Sequence, residues 1–143
     1  MSIKIFVVIP IYRLPALLSK CLEALIIQQL QQDAFEIIML SDGPVALTEN
    51  ILKQYLISKH PQIKYFTLRI KKGPAALRNY GWNQSTAELV AFIDDDCVPG
   101  KTWLKSFYDT FKTNADAVFT GKTVVPLPTD PKIMTLTLQT FKM

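Results

Sequence analysis

The fold is decided by one stretch of the sequence, Glu88-Leu-Val-Ala-Phe-Ile-Asp94-Asp95-Asp96-Cys97-Val-Pro99. Its apolar part predicts a buried β-strand that ends on three consecutive carboxylates. Because side chains alternate across a strand, we expect Asp94 and Asp96 to project to one side and Asp95 to the other. Adjacent anions repel one another, so a cluster of this kind is typical of a site that holds a cation. The stretch therefore predicts a divalent-metal site at the carboxyl end of a strand in an α/β sheet.

The three aspartates also fit a second interpretation, in which they cap a helix or lie in a solvated turn. A single aspartate after a strand would suit that interpretation, whereas three in a row after a buried strand favour metal and ligand binding. Carboxylates are hard oxygen ligands of the kind that Mg²⁺ and Mn²⁺ prefer. Zinc is disfavoured because His60 is the one histidine and Cys21 and Cys97 lie far apart in the sequence.

Strand and helix patterns alternate along the rest of the chain. The predicted strands cover Ile3–Ile9, Phe35–Leu40, Ile63–Ile70 and Leu89–Ile93, and the predicted helices cover Pro15 to about Gln32, Val45 to Lys59, a segment from Pro74 or Ala75, and Thr102–Thr113. Pro10 is expected to stop the first strand and His60-Pro61 the second helix. A further strand is predicted over Asp116–Val125. These alternations indicate a Rossmann-like, three-layer α/β/α domain with a mostly parallel sheet.

Polar residues follow the predicted strands at the points where the strands end, namely Tyr12 and Arg13, Ser41 and Asp42, Lys71 and Lys72, and Asp94 to Asp96. In open α/β sheets, ligands bind at the carboxyl ends of the strands. Tyr12 fits either stacking on a flat ring or covering the sheet edge, and Asp42 fits either a ligand contact or a turn before glycine. Gly73 and Arg78 near a helix start suit a phosphate, although they also fit a plain helix start with a surface arginine.

The composition bounds the class of protein. Of the 143 residues 49% are apolar, and the net charge of +4 is spread along the chain. This predicts a single folded domain over residues 1–143 and argues against a nucleic-acid partner. Two distant cysteines indicate a reducing compartment, so a cytoplasmic location is expected. The apolar N-terminus is short and contains Lys4, so it is interpreted as a strand and not a signal peptide, and no apolar run approaches the roughly 18 residues that span a membrane.

Four blocks of the sequence resemble, in order and spacing, the family 2 glycosyltransferases of the GT-A fold. The blocks are Val8-Ile-Pro10-Ile-Tyr12-Arg13, Leu40-Ser-Asp42-Gly43, Gly73-Pro-Ala-Ala-Leu-Arg78-Asn79-Tyr-Gly81, and Ala91-Phe-Ile-Asp94-Asp95-Asp96-Cys-Val-Pro99 with Trp103-Leu104. The resemblance covers nearly all of residues 3–125. It implies a nucleotide-sugar donor, usually a UDP-sugar, and a divalent metal, Mn²⁺ or Mg²⁺.

The resemblance also implies a role for each matching residue. Nucleotide-sugar binding is expected from Pro10, Tyr12, Arg13, Asp42, Arg78, Asp94 and Asp95. Within that set, the residues that end the first two strands would hold the nucleobase, and Arg78 would lie beside the nucleotide. The Asp-x-Asp element falls on Asp94 and Asp96, with Asp95 in its variable middle position. Asp94 would contact the ribose, and Asp96 would hold the metal with Asp94 as a second candidate ligand.

The chain departs from the family pattern in two blocks and in length. Ile11 and Arg13 replace polar residues of the usual Pro-Thr-Tyr-Asn block, and Ser41 replaces the first acid of the usual Asp-Asp-Gly block. In the family, the catalytic base and the acceptor-binding half follow the Asp-x-Asp strand. The domain is therefore expected to be truncated, with its acceptor half incomplete or absent and its base downstream of Met143. Asp130, in a proline-rich loop, matches no base motif.

The predicted function is a metal-dependent, inverting transfer of a sugar from a nucleotide donor to an unknown saccharide, lipid or protein acceptor. The alternative is a non-catalytic nucleotide-sugar binding module that needs a downstream or partner segment. A phosphoacceptor signalling domain would need an acidic pair after the first strand, and a nucleotidyltransferase a glycine-rich basic loop, whereas this chain has Ile9-Pro10-Ile11. Related enzymes act on lipid-linked acceptors, so peripheral association with the cytoplasmic face of a membrane stays open, as does the oligomeric state.

Overall fold

A computed structural model describes residues 2–12, 15–57, 61–69 and 71–124 of the chain. The strands are β1 (Ile5–Ile11), β2 (Phe35–Asp42), β3 (Gln62–Leu68) and β4 (Leu89–Phe92), and the helices are α1 (Pro15–Ile26), α2 (Ala46–Tyr55), α3 (Pro74–Gln84) and α4 (Trp103–Thr113). All strand pairs are parallel, and the strand order in the sheet is β3-β2-β1-β4. The predicted α/β class with a parallel sheet is confirmed.

The sheet buries apolar side chains on both faces. All seven residues of β1 are buried, because this central strand has neighbours on both sides and helices above and below it. On one face the sheet packs against α1, α2 and α4 through residues such as Leu22, Leu52 and Leu104. On the other face it packs against α3 through Leu77. Within the described residues, no helix is long and apolar enough to pass through a bilayer.

Helix α3 lies close to the sheet because residue 81 is glycine. A Cβ atom at Gly81 would lie 2.5 Å from Val8 Cγ1 and 2.8 Å from Leu40 Cδ1. Both neighbours are branched side chains in a packed layer, so a larger residue would push the helix away from the sheet. Gly81 therefore sets the height of α3 above the sheet, and with it the position of Arg78 one turn earlier.

The prediction that Pro10 stops the first strand is wrong, because β1 runs to Ile11. Ile93 N donates to Val8 O at 3.2 Å, so the even-numbered residues of β1 present their backbone groups to β4. The pairing of these two strands ends at Val8 and Phe92. Pro10 therefore lies where β4 has already ended, and its missing N–H costs no hydrogen bond in the sheet.

Helix α1 ends at Ile26, well before the predicted end near Gln32. The residues that follow bond to a distant loop instead of continuing the helix. Gln29 N donates to Lys101 O at 2.7 Å, and the Gln28 side chain donates to Gly100 O at 2.8 Å. The helical periodicity of the sequence is overridden by these tertiary partners.

The ends of β2 and β3 are set by their pairing. The sequence predicts a turn at Ser41 and Asp42, but β2 continues through both residues because Ser41 pairs with Thr67 and Asp42 with Leu68. Strand β3 ends at Leu68. Its predicted end at Ile70 lies outside the described residues.

Helix α2 is shorter than predicted and ends at Tyr55. Leu56 N still donates to Leu52 O at 2.8 Å. Leu56 and Ile57 are 43% and 82% exposed, so no packing supports a further helical turn there. The predicted end at Lys59 and the predicted break at His60 lie outside the described residues.

The predicted strand over Asp116–Val125 is wrong for its described part, since residues 117–124 adopt no regular secondary structure. The backbone at Gly121 lies beside the rings of Phe107 and Trp103 of α4 and not beside a strand. Val125 lies outside the described residues. Helix α3 begins at Pro74 as predicted, and β4 and α4 agree with their predicted bounds to within one residue.

Candidate functional site

Polar side chains gather where the strand order reverses. The chain builds β2 and β3 on one side of β1 and then returns to place β4 on the other side. In open α/β sheets, the crevice beyond the carboxyl ends at such a reversal is the usual ligand position. Tyr12 follows β1 there, and Asp94 to Asp96 follow β4.

Arg78 connects two of the predicted site residues. Its Nη2 donates to Asp94 Oδ1 at 2.7 Å, and the two side chains are 22% and 39% exposed. Burial raises the pKa of Tyr12 above its usual value, while the neighbouring Arg78 guanidinium lowers it. The Tyr12 hydroxyl is therefore protonated at neutral pH, and its side chain is 41% exposed. The three residues form one surface that carries an aromatic ring, a guanidinium and a carboxylate.

Asp95 points away from that surface and is only 2% exposed. Its Oδ2 accepts a hydrogen bond from Tyr12 N at 2.9 Å. Burial raises the pKa of Asp95, the Tyr12 N–H lowers it, and the charges of Asp96 and Asp94 raise it further. The middle carboxylate of the triad is thus an internal hydrogen-bond acceptor between the ends of β1 and β4.

The acidic turn is stabilised at the carbonyl oxygen of Asp94. Cys97 N donates to this oxygen at 3.1 Å, and the Cys21 thiol donates to it at 3.8 Å. Burial raises the pKa of Cys21 to about 12 and that of Cys97 to about 11, and the charge of Asp96 also raises the pKa of Cys97. Both thiols are protonated at neutral pH, so they can donate hydrogen bonds to the turn.

Asp96 is the exposed carboxylate of the turn. Its Oδ1 accepts a hydrogen bond from the Cys97 thiol at 3.6 Å. Within the ranges that the structure describes, no group of three or more Asp, Glu, His or Cys side chains could hold an ion together. An ion such as Mg²⁺, which keeps water ligands and takes oxygens from a bound phosphate, needs only one or two carboxylates. Asp96 fits that kind of site, whereas Asp94 already accepts from Arg78.

Asp42, at the end of β2, is held by backbone groups. Its Oδ2 accepts from Gly73 N at 2.7 Å and its Oδ1 from Lys72 N at 3.2 Å. Gly73 has a φ of 84°, a left-handed conformation that favours glycine. Asp42 therefore ties the end of β2 to the loop that begins α3, the helix that carries Arg78.

Ser41 stands where the family pattern has an acid, and it is fully buried. Its Oγ donates to Gly43 O at 2.8 Å and lies 2.7 Å from the Tyr65 hydroxyl. Because serine has one hydroxyl proton, Tyr65 is the donor in the second hydrogen bond. The Ser41 hydroxyl is therefore engaged in hydrogen bonds within the fold.

The predicted site residues thus form two groups on one edge. Tyr12, Arg78, Asp94 and Asp95 are connected by hydrogen bonds, while Asp42 belongs to a second network around the loop before α3. Pro10 is buried inside β1, and Arg13 lies outside the described residues.

Sequence patterns do not single out Gln28, although this residue holds the loop that leaves the acidic turn. The side chain is 6% exposed, and its Oε1 accepts from Leu104 N at 3.0 Å. Its Nε2 donates to Gly100 O and to Ala24 O. Gln28 therefore caps α4, whose own N-cap Thr102 makes no capping hydrogen bond through its side chain. The sequence signal is a polar residue on the predicted helix face that carries Cys21 and Leu25.

Comparisons of the sequence with known proteins point to one family. The model described as glycosyl transferase family 2 matches residues 6–139. Glycosyltransferase AglE of Haloferax volcanii is 29% identical over 113 residues, which cover 78% of this chain and 37% of that protein. The poly(ribitol-phosphate) beta-glucosyltransferase of Bacillus spizizenii is 31% identical over 120 residues, which cover 83% of this chain and 19% of that protein. The chain spans well under half the length of these relatives.

Comparisons of the structure agree. S. aureus TarS 1–349 in complex with UDP-GlcNAc superposes with a TM-score of 0.71 and 25% identity, over 79% of this chain and 32% of that chain. The mannosyltransferase PcManGT from Pyrobaculum calidifontis, in complex with GDP-Man and Mn²⁺, superposes with a TM-score of 0.66 and 20% identity, over 79% of this chain and 32% of that chain. These likenesses confirm the predicted GT-A fold.

Proposed function

The chain belongs to glycosyl transferase family 2, and we propose that it transfers a sugar from a nucleotide-sugar donor to an acceptor hydroxyl. One observation carries the proposal: Tyr12, Arg78 and Asp94 form a single surface next to the exposed Asp96, at the reversal of strand order. An aromatic ring suits a nucleobase, and a guanidinium and carboxylates suit a diphosphate with its metal ion.

We propose UDP as the nucleotide of the donor. The neighbour TarS binds UDP-GlcNAc and has the higher identity to this chain, 25%, whereas PcManGT, which binds GDP-Man, is 20% identical. GDP is therefore the competing nucleotide, and a direct comparison of the two is part of the test below.

The nucleoside is proposed to lie across the ends of β1 and β2. Tyr12, together with Arg13, is proposed to face the nucleobase, and the buried Pro10 precedes them in β1. Asp42 is fixed by two backbone N–H groups, and each of its oxygens keeps a second lone pair for the base. Arg78 orients the Asp94 carboxylate by donating to its Oδ1. The other oxygen of Asp94 is proposed to accept a hydrogen bond from the ribose.

Asp96 is the residue proposed to hold Mn²⁺ or Mg²⁺, with Asp94 as a second candidate ligand. Such an ion, when bound, neutralises the charge that develops on the departing diphosphate. The exposure of Asp96 leaves room for water and phosphate oxygens around the ion. Thiols such as those of Cys21 and Cys97 are soft ligands and compete poorly with oxygen ligands for such a hard ion.

The proposed transfer inverts the anomeric carbon. The acceptor hydroxyl forms the new glycosidic bond as the bond to the diphosphate breaks, and a carboxylate base takes the hydroxyl proton, which contributes about 10²–10⁴ in rate. Asp109 is unsuited to this role because hydrogen bonds from Lys105 and Lys112 lower its pKa. We therefore propose that a carboxylate other than Asp109 acts as the base.

The setting proposed for the reaction is the cytoplasm, where free thiols such as Cys21 and Cys97 persist in reduced form. The proposed acceptor is a hydroxyl of a saccharide, a lipid or a protein. A lipid-linked acceptor would bring the chain to the cytoplasmic face of a membrane as a peripheral protein.

Titration calorimetry with UDP and with GDP, each with Mn²⁺ or with EDTA, tests donor binding. A parallel assay measures the release of UDP from UDP-sugars. We expect UDP to bind more tightly with Mn²⁺ than with EDTA, and UDP-sugars to be hydrolysed slowly. Binding without hydrolysis would support the non-catalytic binding module, and absence of binding by both nucleotides would overturn the proposed function.

A further inference from the structure

We propose that Asp95 is a positioning residue of the donor site, whose buried carboxylate holds the main chain at Tyr12 in place of a missing sheet hydrogen bond. The inference rests on the proposed function, because it concerns the residue that presents Tyr12 to the nucleotide. It assigns to the middle position of the acidic triad a task that neither exposed aspartate can perform.

The hydrogen bond itself joins two distant parts of the chain. Asp95 Oδ2 accepts from Tyr12 N at 2.9 Å, across 83 positions of sequence. The Asp95 side chain is buried, so its carboxylate does not face the surface on which a nucleotide would lie. Asp94, one residue earlier, is 39% exposed and pairs with Arg78 on that surface. Adjacent carboxylates therefore work on opposite sides of the turn.

The pattern of the sheet explains why a side chain is needed. The last sheet hydrogen bond between β4 and β1 runs from Ile93 N to Val8 O, at 3.2 Å. Two residues later on the same side of β1 stands Pro10, which has no N–H to donate. In an extended chain, the N–H groups of every second residue point in the same direction. The next backbone donor on the β4 side is therefore Tyr12 N.

At the end of β4 the acceptor for this donor is a side chain and not a backbone carbonyl. The chain turns sharply after β4, and the carbonyl oxygen of Asp94 accepts from Cys97 N at 3.1 Å and from the Cys21 thiol. The Asp95 side chain reaches across instead and satisfies Tyr12 N. An N–H that is partly shielded from water and lacks an acceptor carries a free-energy penalty, so this hydrogen bond helps to fix where the main chain leaves β1.

The arrangement predicts which part of binding depends on Asp95. Tyr12 carries the ring that lies beside Arg78 and Asp94, so a displaced main chain would disturb the nucleoside end of the site. The metal is proposed to bind at Asp96 and not at Asp95. Loss of the Asp95 hydrogen bond is therefore expected to weaken nucleotide binding by the same factor with and without metal.

The experiment compares the wild type with Asp95→Ala, Asp95→Asn and Asp96→Asn in the full chain. UDP affinity is measured by calorimetry with Mn²⁺ and with EDTA, folding by circular dichroism, and hydrogen exchange of the Tyr12 amide by NMR. Asp95→Asn keeps an oxygen that accepts from Tyr12 N and removes the charge. Asp95→Ala removes the acceptor, and Asp96→Asn removes the proposed metal ligand without touching Tyr12.

We expect Asp95→Ala to weaken UDP binding about ten- to hundredfold in both buffers and to speed exchange of the Tyr12 amide. Asp95→Asn should stay within about threefold of the wild type in affinity, with a protected Tyr12 amide. The loss in Asp96→Asn should appear with Mn²⁺ and vanish in EDTA. If Asp95 had only a structural role, folded Asp95→Ala would keep its affinity for UDP. A loss of UDP affinity that is the same with and without metal, and that Asp95→Asn does not show, therefore indicates a positioning role.

Three results would overturn the inference: wild-type affinity in folded Asp95→Ala, an Asp95→Asn variant as weak as Asp95→Ala, or fast exchange of the Tyr12 amide in the wild type. If Asp95→Ala does not fold, Asp95→Ser replaces it, because a serine hydroxyl is too short to reach Tyr12 N. If the wild type binds neither UDP nor GDP while its Tyr12 amide is protected, the proposed function fails and not the hydrogen bond.

Discussion

Two strand ends on the same sheet edge use aspartate differently. At the end of β2, both oxygens of Asp42 accept backbone N–H groups, from Gly73 and Lys72. At the end of β4, Asp94 accepts from the Arg78 side chain and Asp96 is exposed. The difference lies in the donors that other segments bring to each end. An aspartate that meets a loop backbone helps to organise the fold even where, like Asp42, it is also proposed to contact the nucleobase, whereas one that meets a side chain or solvent has more lone pairs left for a ligand.

The two ends also differ in what stabilises them. The β2 end is supported by a neighbouring strand through pairs up to Asp42 and Leu68. The β4 end loses its strand neighbour at Val8 and depends on side chains from elsewhere, Asp95 toward Tyr12 and Gln28 toward the start of α4. The strand end that is proposed to bind the metal, that of β4, is therefore the one without continuous sheet pairing.

Substitution of Asp96 by asparagine tests the exposed end and has the largest expected effect. We expect Mn²⁺-supported UDP affinity to fall on the order of a hundredfold, because a neutral amide is a weaker ligand for a hard cation. The free energy of unfolding should change by less than about 0.5 kcal/mol, since the side chain is at the surface. Calorimetry and urea denaturation measure the two effects.

The matched control for that variant is Asp109→Asn, which removes an exposed carboxylate paired with Lys105 and Lys112 on α4. It should leave UDP affinity unchanged. If the wild type and Asp96→Asn bind UDP equally well in the presence of Mn²⁺, the proposal that the β4 end holds the metal through Asp96 is wrong.

Loss of the Gln28 side chain is expected to cost the most stability, about 2–3 kcal/mol in Gln28→Ala, because a buried amide and its three partners lose their hydrogen bonds. The partners are Leu104 N, Gly100 O and Ala24 O. Urea denaturation gives the free energy of unfolding. Gln32→Ala is the control, because its exposed amide makes one hydrogen bond, to Ile26 O, and should cost less than about 0.5 kcal/mol.

If both glutamine variants are equally stable, the β4 end does not depend on a distant side chain, and the contrast with the β2 end is lost. A large effect confined to Gln28 would sharpen that contrast.

Removal of the Asp42 carboxylate tests the structural end. Asp42→Ala should lower the free energy of unfolding by about 2 kcal/mol, because Lys72 N and Gly73 N lose a charged acceptor at a half-buried site. Asp42→Asn should lose about half as much, since its amide nitrogen cannot accept. Urea denaturation measures both. A variant as stable as the wild type would show that the loop before α3 is positioned without Asp42.

The order and type of the regular elements follow from the sequence, whereas several of their ends do not. Apolar periodicity predicts the four strands and four helices, because each element buries a face. The ends of α1 and β2 were set by partners far away in sequence, Gly100 and Lys101 for the former and Leu68 for the latter. No local pattern contains that information. The periodicity therefore predicts an α1 that is too long, and the turn residues predict a β2 that is too short.

The candidate site divides in the same way. Alternation along β4 predicts that Asp95 faces away from Asp94 and Asp96, and the burial of Asp95 agrees. Its partner Tyr12 N could not be predicted, because their contact depends on the register between β1 and β4 and on the missing N–H of Pro10. Strand alternation thus gives the side that a residue faces, and only the assembled sheet gives what it meets there.

The smallest expected effect uses the Cys97 thiol to report on the charge of Asp96. Thiolate is the reactive form, and burial together with Asp96 raises the pKa of Cys97 to about 11. At pH 8 only about one molecule in a thousand carries the thiolate, so alkylation by iodoacetamide should be slow. Asp96→Asn removes a negative charge and a carboxylate that accepts from the thiol, so the pKa falls and alkylation at pH 8 should speed up several-fold.

Peptide mapping by mass spectrometry separates Cys97 from Cys21, whose pKa of about 12 and complete burial keep it unreactive in both proteins. The rate should rise with pH in both proteins, and the ratio between them should shrink as the pH approaches 11, where the wild-type thiol also ionises. Asp109→Asn should match the wild type at every pH. Equal alkylation rates of Cys97 in the wild type and Asp96→Asn at pH 8 would mean that the Asp96 charge does not act on this turn. The difference between the ends of β4 and β2 would then be smaller than their hydrogen bonds indicate.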